Sequence, residues 1–153
     1  MIMKMTIYSA DCCHSLSNCI YPNEHIVTDK ESMEKAVKND HVTAEYKDNY
    51  RSNSNFIKAD NIPLDCDNDH SDNPADWVTP FNVAETFPGV AFIAVYSRNH
   101  MKAKNDKSAR PRFHIYFPIP DIIVPAEYAM LKKRIAASFP YFDDNALDSA
   151  RLL

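Results

Sequence analysis

A chain of 153 residues, 45% hydrophobic and 25% charged, can bury one substantial core but is too short to count on two independent domains. No apolar run approaches the roughly 20 residues of a membrane-spanning helix, and the start, MIMKMTIYSADCCHSLSNC, lacks the pattern of a secretory signal, so a cytoplasmic address without a membrane partner is expected. A net charge of -4 excludes a globally basic nucleic-acid coat protein but not a local basic groove, and a single glycine excludes a Gly-rich phosphate loop and with it a P-loop ATPase or helicase.

In chain order, Cys12, Cys13 and Cys19, with Cys66 further on, fit no zinc framework and read as reduced structural thiols. Thr28 followed by Glu31 forms a capping-box pattern, and Met33, Ala36 and Val37 at helical spacing predict a helix near 29–39. KDNYRSNSN, at 47–55, is a polar loop. In NFIKADNIPLD the cluster of Phe56, Ile57, Ile62 and Leu64, with Pro63 barring a helix interior, predicts an extended segment. TPFNVAETFPGV predicts a helix capped by Thr79, with Pro80 at its first position and Pro88 and Gly89 closing it. VAFIAVYS is apolar on both faces, as expected of a strand buried mid-sheet. RPRFHIYFPI alternates, placing Arg112, His114 and Tyr116 on an outward face and Phe113, Ile115 and Phe117 inward. PAEYAMLKKRIAASF predicts a helix with Pro125 in its first turn and an apolar stripe of Tyr128, Leu131, Ile135 and Phe139, and DDNALDSARLL a last short one. This order of elements predicts an α+β domain with a mostly antiparallel sheet flanked by helices.

Chemistry concentrates in IPLDCDNDHSDN, at 62–73. Asp65 and Asp67, two apart at a strand end, project the same way with Cys66 turned inward, and such a pair suits divalent cations through hard oxygen ligands. The alternatives are an acidic surface turn, or a calcium loop with Asp65, Asp67 and Asp69 at its first, third and fifth positions. The calcium loop is weakened by His70 where glycine is usual, by Asp76 where glutamate is usual, and by a strand rather than a helix in front. Asn68 to Asn73 read as a plain polar turn. Downstream, Arg98, Lys102, Lys104, Lys107, Arg110 and Arg112 crowd one hairpin of an acidic chain, suited to phosphate or template binding, or else simply solvated. Tyr96, Tyr116 and Trp77 are candidate stacking rings, with core packing the alternative for Trp77.

PLDCD, then RFH on a strand some fifty residues later, then Phe142-Asp143 in YFDDNALDSAR, resemble the three motifs of the archaeo-eukaryotic primase superfamily, the primase-polymerases of plasmids, phages and mobile elements especially. The resemblance runs from about Tyr50 to the C-terminus. It implies an RRM-like core and a single primase-polymerase catalytic domain over 1–153, with an N-terminal lobe over about 1–60 and a metal-site lobe over about 61–153. It further implies template-directed nucleotidyl transfer with Mg2+ or Mn2+ held by Asp65, Asp67 and Asp143. His114 would contact the triphosphate of the incoming nucleotide, and Arg51, Arg98 and Arg112 would contact the nucleotide as well. Lys102, Lys104, Lys107 and Arg110 would face DNA. The implied partners are nucleoside triphosphates, a single-stranded DNA template and primer, and a replicative helicase, in DNA replication of a mobile element.

Arg112 departs from the family, standing where a small serine is common, so either a hydroxyl contact has become a charged one or the site is altered. The third carboxylate is Asp143 by its apolar lead-in, Tyr141-Phe142, and by Arg151 eight residues later, with Asp144 and Asp148 nearby as alternatives. A non-catalytic nucleotide- or DNA-binding module and a metal-dependent nuclease are the competing functions.

Overall fold

The computed structural model of the chain describes residues 3–143. Strand β1 (Met5–Ser9) pairs antiparallel with β2 (Asn23–Val27) and with β3 (His41–Val42), in the sheet order β2-β1-β3. Met5 and Ile7 are wholly buried while Thr6 and Tyr8 between them are partly exposed, the period of two that a half-buried strand requires. The sequence reading assigned none of these strands, since they are short and β2 buries only Val27.

Helix α1 (Lys30–Ala36) starts one residue later than Thr28 would set it. Asp29 is the cap: its carboxylate accepts the Ser32 backbone N–H at 2.8 Å, and the Ser32 hydroxyl accepts from the Asp29 N–H at 3.1 Å. The reciprocal pair is therefore Asp29 and Ser32 rather than Thr28 and Glu31, because a hydroxyl can answer the cap N–H as well as a carboxylate can.

Strand β4 (Ala44–Tyr46) pairs antiparallel with β5 (Phe56–Cys66), which is continuously buried from Asn61 to Cys66. Helix α2 (Pro80–Thr86) begins as its sequence predicts, with Thr79 as cap and the Asn82 side chain accepting the Thr79 N–H at 2.8 Å. Strand β6 (Ile93–Tyr96) is followed by the hairpin β7 (Lys102–Lys104) and β8 (Lys107–Arg110), then by β9 (Phe113–Ile122) and α3 (Pro125–Ser138). The four-stranded sheet has the order β4-β5-β9-β6, so β6 is an edge strand, alternating half-buried and exposed residues, and not the central strand its apolar run predicted. The same apolar letters serve a core strand or an edge lying under loops, and only pairing distinguishes them. The protein is thus α+β, and the pairings β1–β2, β1–β3, β4–β5, β6–β9 and β7–β8 are all antiparallel.

The described chain divides into two compact units, one of residues 3–62 and 118–131, the other of 63–117 and 132–143. The first packs Met5, Ile7, Val27, Met33, Ala36, Val42, Ala44 and Ile62. Within it the buried Tyr128 hydroxyl donates to the Asn61 carbonyl at 2.7 Å and meets the Thr43 hydroxyl at 3.0 Å. Tyr128→Phe leaves both partners short of a bond and is expected to cost about 1–2 kcal/mol in urea unfolding; an unchanged midpoint would show the hydroxyl to be dispensable. The second unit packs Leu64, Cys66, Val83, Phe113, Ile115, Phe117, Phe139 and Phe142. No helix among the described residues is long and apolar enough to cross a membrane.

Candidate active site

The end of β5 supplies Asp65, and Asp67 follows the strand's last residue, Cys66. Cys66 is wholly buried between them, and burial pushes its thiol up to about 12, which leaves it inert as a nucleophile. The chain then turns at Asn68, whose φ of 55° lies in the left-handed region that asparagine tolerates better than most residues. Asn68 is buried, and its amide donates to the carbonyls of Val78 at 2.9 Å and Pro111 at 2.8 Å while its oxygen accepts the Val78 N–H at 2.8 Å. A residue that the sequence presented as the start of a plain polar turn is a three-bond anchor. The legible signal was an asparagine directly after the second aspartate, at the point where the strand has to end. Asn68→Ala is expected to lower stability by about 3 kcal/mol, and Asn68→Gly, which relieves only the backbone, to recover a minor part of that; equal urea midpoints for all three proteins would refute the anchor.

Two arginines organise the loop that follows. Arg110 is completely buried: it donates to the carbonyls of Asn68 at 2.9 Å and Ser71 at 3.0 Å, pairs with Asp72 at 2.9 Å, and lies over the Trp77 ring at 5.2 Å. The expectation that Arg110 faces DNA is corrected, because its guanidinium is enclosed by the 68–77 loop. Arg112 is also completely buried rather than outward-facing, donating from Nη1 to the Asp67 carbonyl at 3.2 Å and to Asp69 Oδ1 at 3.3 Å. Its place in the phosphate-contacting set is corrected likewise: it holds the turn that carries Asp67. These two buried cations engage Asp69 and Asp72, the later acids of the loop. Tyr116 is wholly buried and cannot stack on a base; burial, then Asp65, drives its phenol well above its usual range.

His114 stands half-buried on β9, opposite Val95 of β6. Its Nε2 lies 3.4 Å from Asp65 Oδ1 and its Nδ1 3.4 Å from the Tyr116 hydroxyl, so the ring is held from both ends. Asp143, in the turn after α3, donates its backbone N–H to the Asp65 carbonyl at 2.8 Å. That bond ties the turn that holds Asp143 to the strand end that holds Asp65, segments far apart in sequence. Burial, then Asp67, Asp65 and Asp69, push the Asp143 carboxyl up to about 7, with Lys104 acting weakly the other way. Lys104, on β7, pairs with Asp67 at 3.2 Å. Lys107 reaches the Asp69 carbonyl at 3.5 Å, while Lys102 and Arg98 are exposed. Arg51 lies in the other compact unit, its guanidinium 3.5 Å from the Asn18 carbonyl and over the Tyr21 ring. Asp144, Asp148, Arg151 and the last predicted helix lie outside the described residues.

The donor chemistry fits a hard divalent cation. Burial first, and the negative charge of Asp67, Asp65 and Asp69 after it, disfavour the ionised Asp143 carboxyl, and a cation would offset the second of these. Among the described residues, however, no group of three or more His, Cys, Asp or Glu side chains is already gathered around one point as a metal shell.

No family model and no curated protein matches the chain. Among solved structures, the archaeo-eukaryotic primase (AEP) domain of the cyanophage S-2L primase-polymerase is similar, with a TM-score of 0.50 and 15% identity over 97% of this chain and 71% of that one. Likeness at that identity concerns the fold, which the two share as a mixed arrangement of helices and mostly antiparallel sheets.

Proposed function

We propose that the protein is a nucleotidyltransferase of the primase-polymerase kind, joining nucleoside triphosphates to a 3′-hydroxyl on a single-stranded DNA template. The observation that supports this reading is the backbone hydrogen bond from the Asp143 N–H to the Asp65 carbonyl, which ties the turn carrying Asp143 to the strand end carrying Asp65. Asp65, Asp67 and Asp143 would hold Mg2+ or Mn2+, which when bound supplies Lewis-acid activation and charge neutralisation at the reacting phosphate.

The chain's own residues set the geometry. Arg112 and Asn68 hold the turn carrying Asp67 from within the protein, so the backbone that bears the carboxylate is fixed by interior contacts. His114, presented from a strand, keeps its Nδ1 on the Tyr116 hydroxyl and would turn its Nε2–H from Asp65 to a triphosphate oxygen. Arg98, Lys102 and Lys107 supply further positive charge for phosphates of nucleotide or template. A replicative helicase is the natural partner of such an activity in replication of a mobile element.

Purified protein, Mn2+, a single-stranded template with and without primer, and labelled nucleotides should give extended product. No product under any of these conditions would overturn catalysis. The absence of a ready-made metal shell among the described residues, with Lys104 on Asp67, favours one second reading, a nucleotide- or DNA-binding module without catalysis. Calorimetric titration with a nucleoside triphosphate separates them. Catalysis requires metal-dependent binding that is lost in Asp65→Ala, whereas the binding module retains its affinity in chelator.

A further inference from the structure

Helix α2 and the edge strand β6 border an apolar groove of about 360 Å³, lined by Pro80, Phe81, Ala84, Phe92, Ala94 and Tyr96. Single exposed apolar side chains are ordinary on protein surfaces, but here two large rings face solvent on one concavity, Phe81 at 80% exposure and Tyr96 at 59%. The Tyr96 ring is braced. It stacks on His100 with centroids 4.0 Å apart and planes 21° apart, and His100 is fixed in turn by accepting the Arg112 backbone N–H on Nδ1 at 3.2 Å. A flat ligand meeting a ring already held in place forfeits less conformational freedom on binding.

Charge in the segment that carries β6 points to the same ligand. Residues 86–105 contain no Asp or Glu but include Arg98, Lys102 and Lys104, in a chain whose net charge is -4. Arg98 and Lys102 are exposed, and the acid of α2, Glu85, does not line the groove. Aromatic faces flanked by cations are what a single strand needs, because bases stack without regard to sequence while basic side chains neutralise the phosphates. We infer that this groove takes an unstacked base of single-stranded DNA, with Phe81 and Tyr96 as the stacking faces and Arg98 and Lys102 against the adjoining phosphates. The choice of DNA rests on the nucleotidyl-transfer reading, in which a template strand has to be held. The binding itself requires neither the carboxylates nor a metal.

The test is fluorescence anisotropy of a fluorescein-labelled single-stranded oligodeoxynucleotide titrated with the full chain in EDTA. Phe81→Ser and Tyr96→Leu are each expected to weaken binding between about 5-fold and about 100-fold. An abasic strand of equal length should bind wild type about as weakly as the ordinary strand binds these variants. Equal affinity for abasic and ordinary strands, or unaltered affinity in both variants, overturns the inference. So does self-association in sedimentation that Phe81→Ser abolishes while strand affinity is kept, since the groove would then be a contact between copies. Phe81 is so exposed that its variant keeps the fold, and with the abasic comparison it decides the matter even if Tyr96→Leu does not fold. Strand binding without nucleotide transfer would leave the groove standing and sink the catalytic reading; transfer with no strand binding in EDTA would do the reverse.

Discussion

Asp65→Asn and Asp67→Asn are each expected to reduce metal-dependent nucleotide incorporation by about 100-fold or more while leaving the protein folded. The amide has the shape of the carboxylate and keeps one acceptor oxygen, but it loses the charge that a divalent cation requires, and losing an electrostatic stabiliser of the reacting phosphate costs about two to three orders of magnitude in rate. The two positions differ in a way that can be measured. Asp65 is buried beside His114 Nε2 at 3.4 Å, whereas Asp67 is half-buried and pairs with Lys104 at 3.2 Å. Asp65→Asn should therefore also disturb nucleotide affinity through His114, and Asp67→Asn chiefly the metal requirement. Primer-extension rates across a Mn2+ series, with circular dichroism melts as the folding control, read both effects. Near-wild-type incorporation by either variant would remove that residue from the catalytic set.

A second large effect is expected in the pH dependence of stability. The Asp143 carboxyl is raised from its ordinary 3.8 to about 7 by burial and by its acidic neighbours. Between those values the folded protein holds a proton that the unfolded chain has released, so the stabilisation, complete below about 4, is lost as pH rises through about 7. Asp143→Asn cannot ionise, so in metal-free buffer its melting temperature relative to wild type should climb from pH 4 to pH 7 and level off above. Mn2+ above neutral pH should then raise the melting temperature of wild type more than that of the variant, because a cation stabilises the state that binds it. Parallel pH profiles for the two proteins would mean that Asp143 does not feel Asp65 and Asp67.

Much of the site's frame could be read from short stretches of sequence. Pro63 and the apolar letters around it announced the strand that ends in Asp65 and Asp67, Thr79 and Pro80 announced α2, and the alternation after Arg112 announced β9. These features depend on φ restriction, capping and side-chain period, each settled within a few residues. The misread features share a different origin. Arg110 and Arg112 have the letters of a solvated basic hairpin, yet both are wholly buried because the carbonyls and carboxylates of residues 67–72 enclose them. Asn68 looks like any turn residue until Val78 and Pro111 supply its partners.

By itself, then, the sequence determined α2, α3 and the strands β5, β6 and β9, though not the short strands β1–β4, β7 and β8, together with the spacing that sets Asp65 and Asp67 on one side of a strand end and the local excess of positive charge after Tyr96. Only the tertiary structure decided which cations stay at the surface, that β6 is an edge with an aromatic groove beside it, and that Asp143 meets Asp65. The reason is one of range. Secondary structure follows from torsional and hydrogen-bonding preferences over a turn or two of chain. The burial of a charge, or the pairing of a backbone N–H with a carbonyl far along the chain, depends on partners that no local window contains.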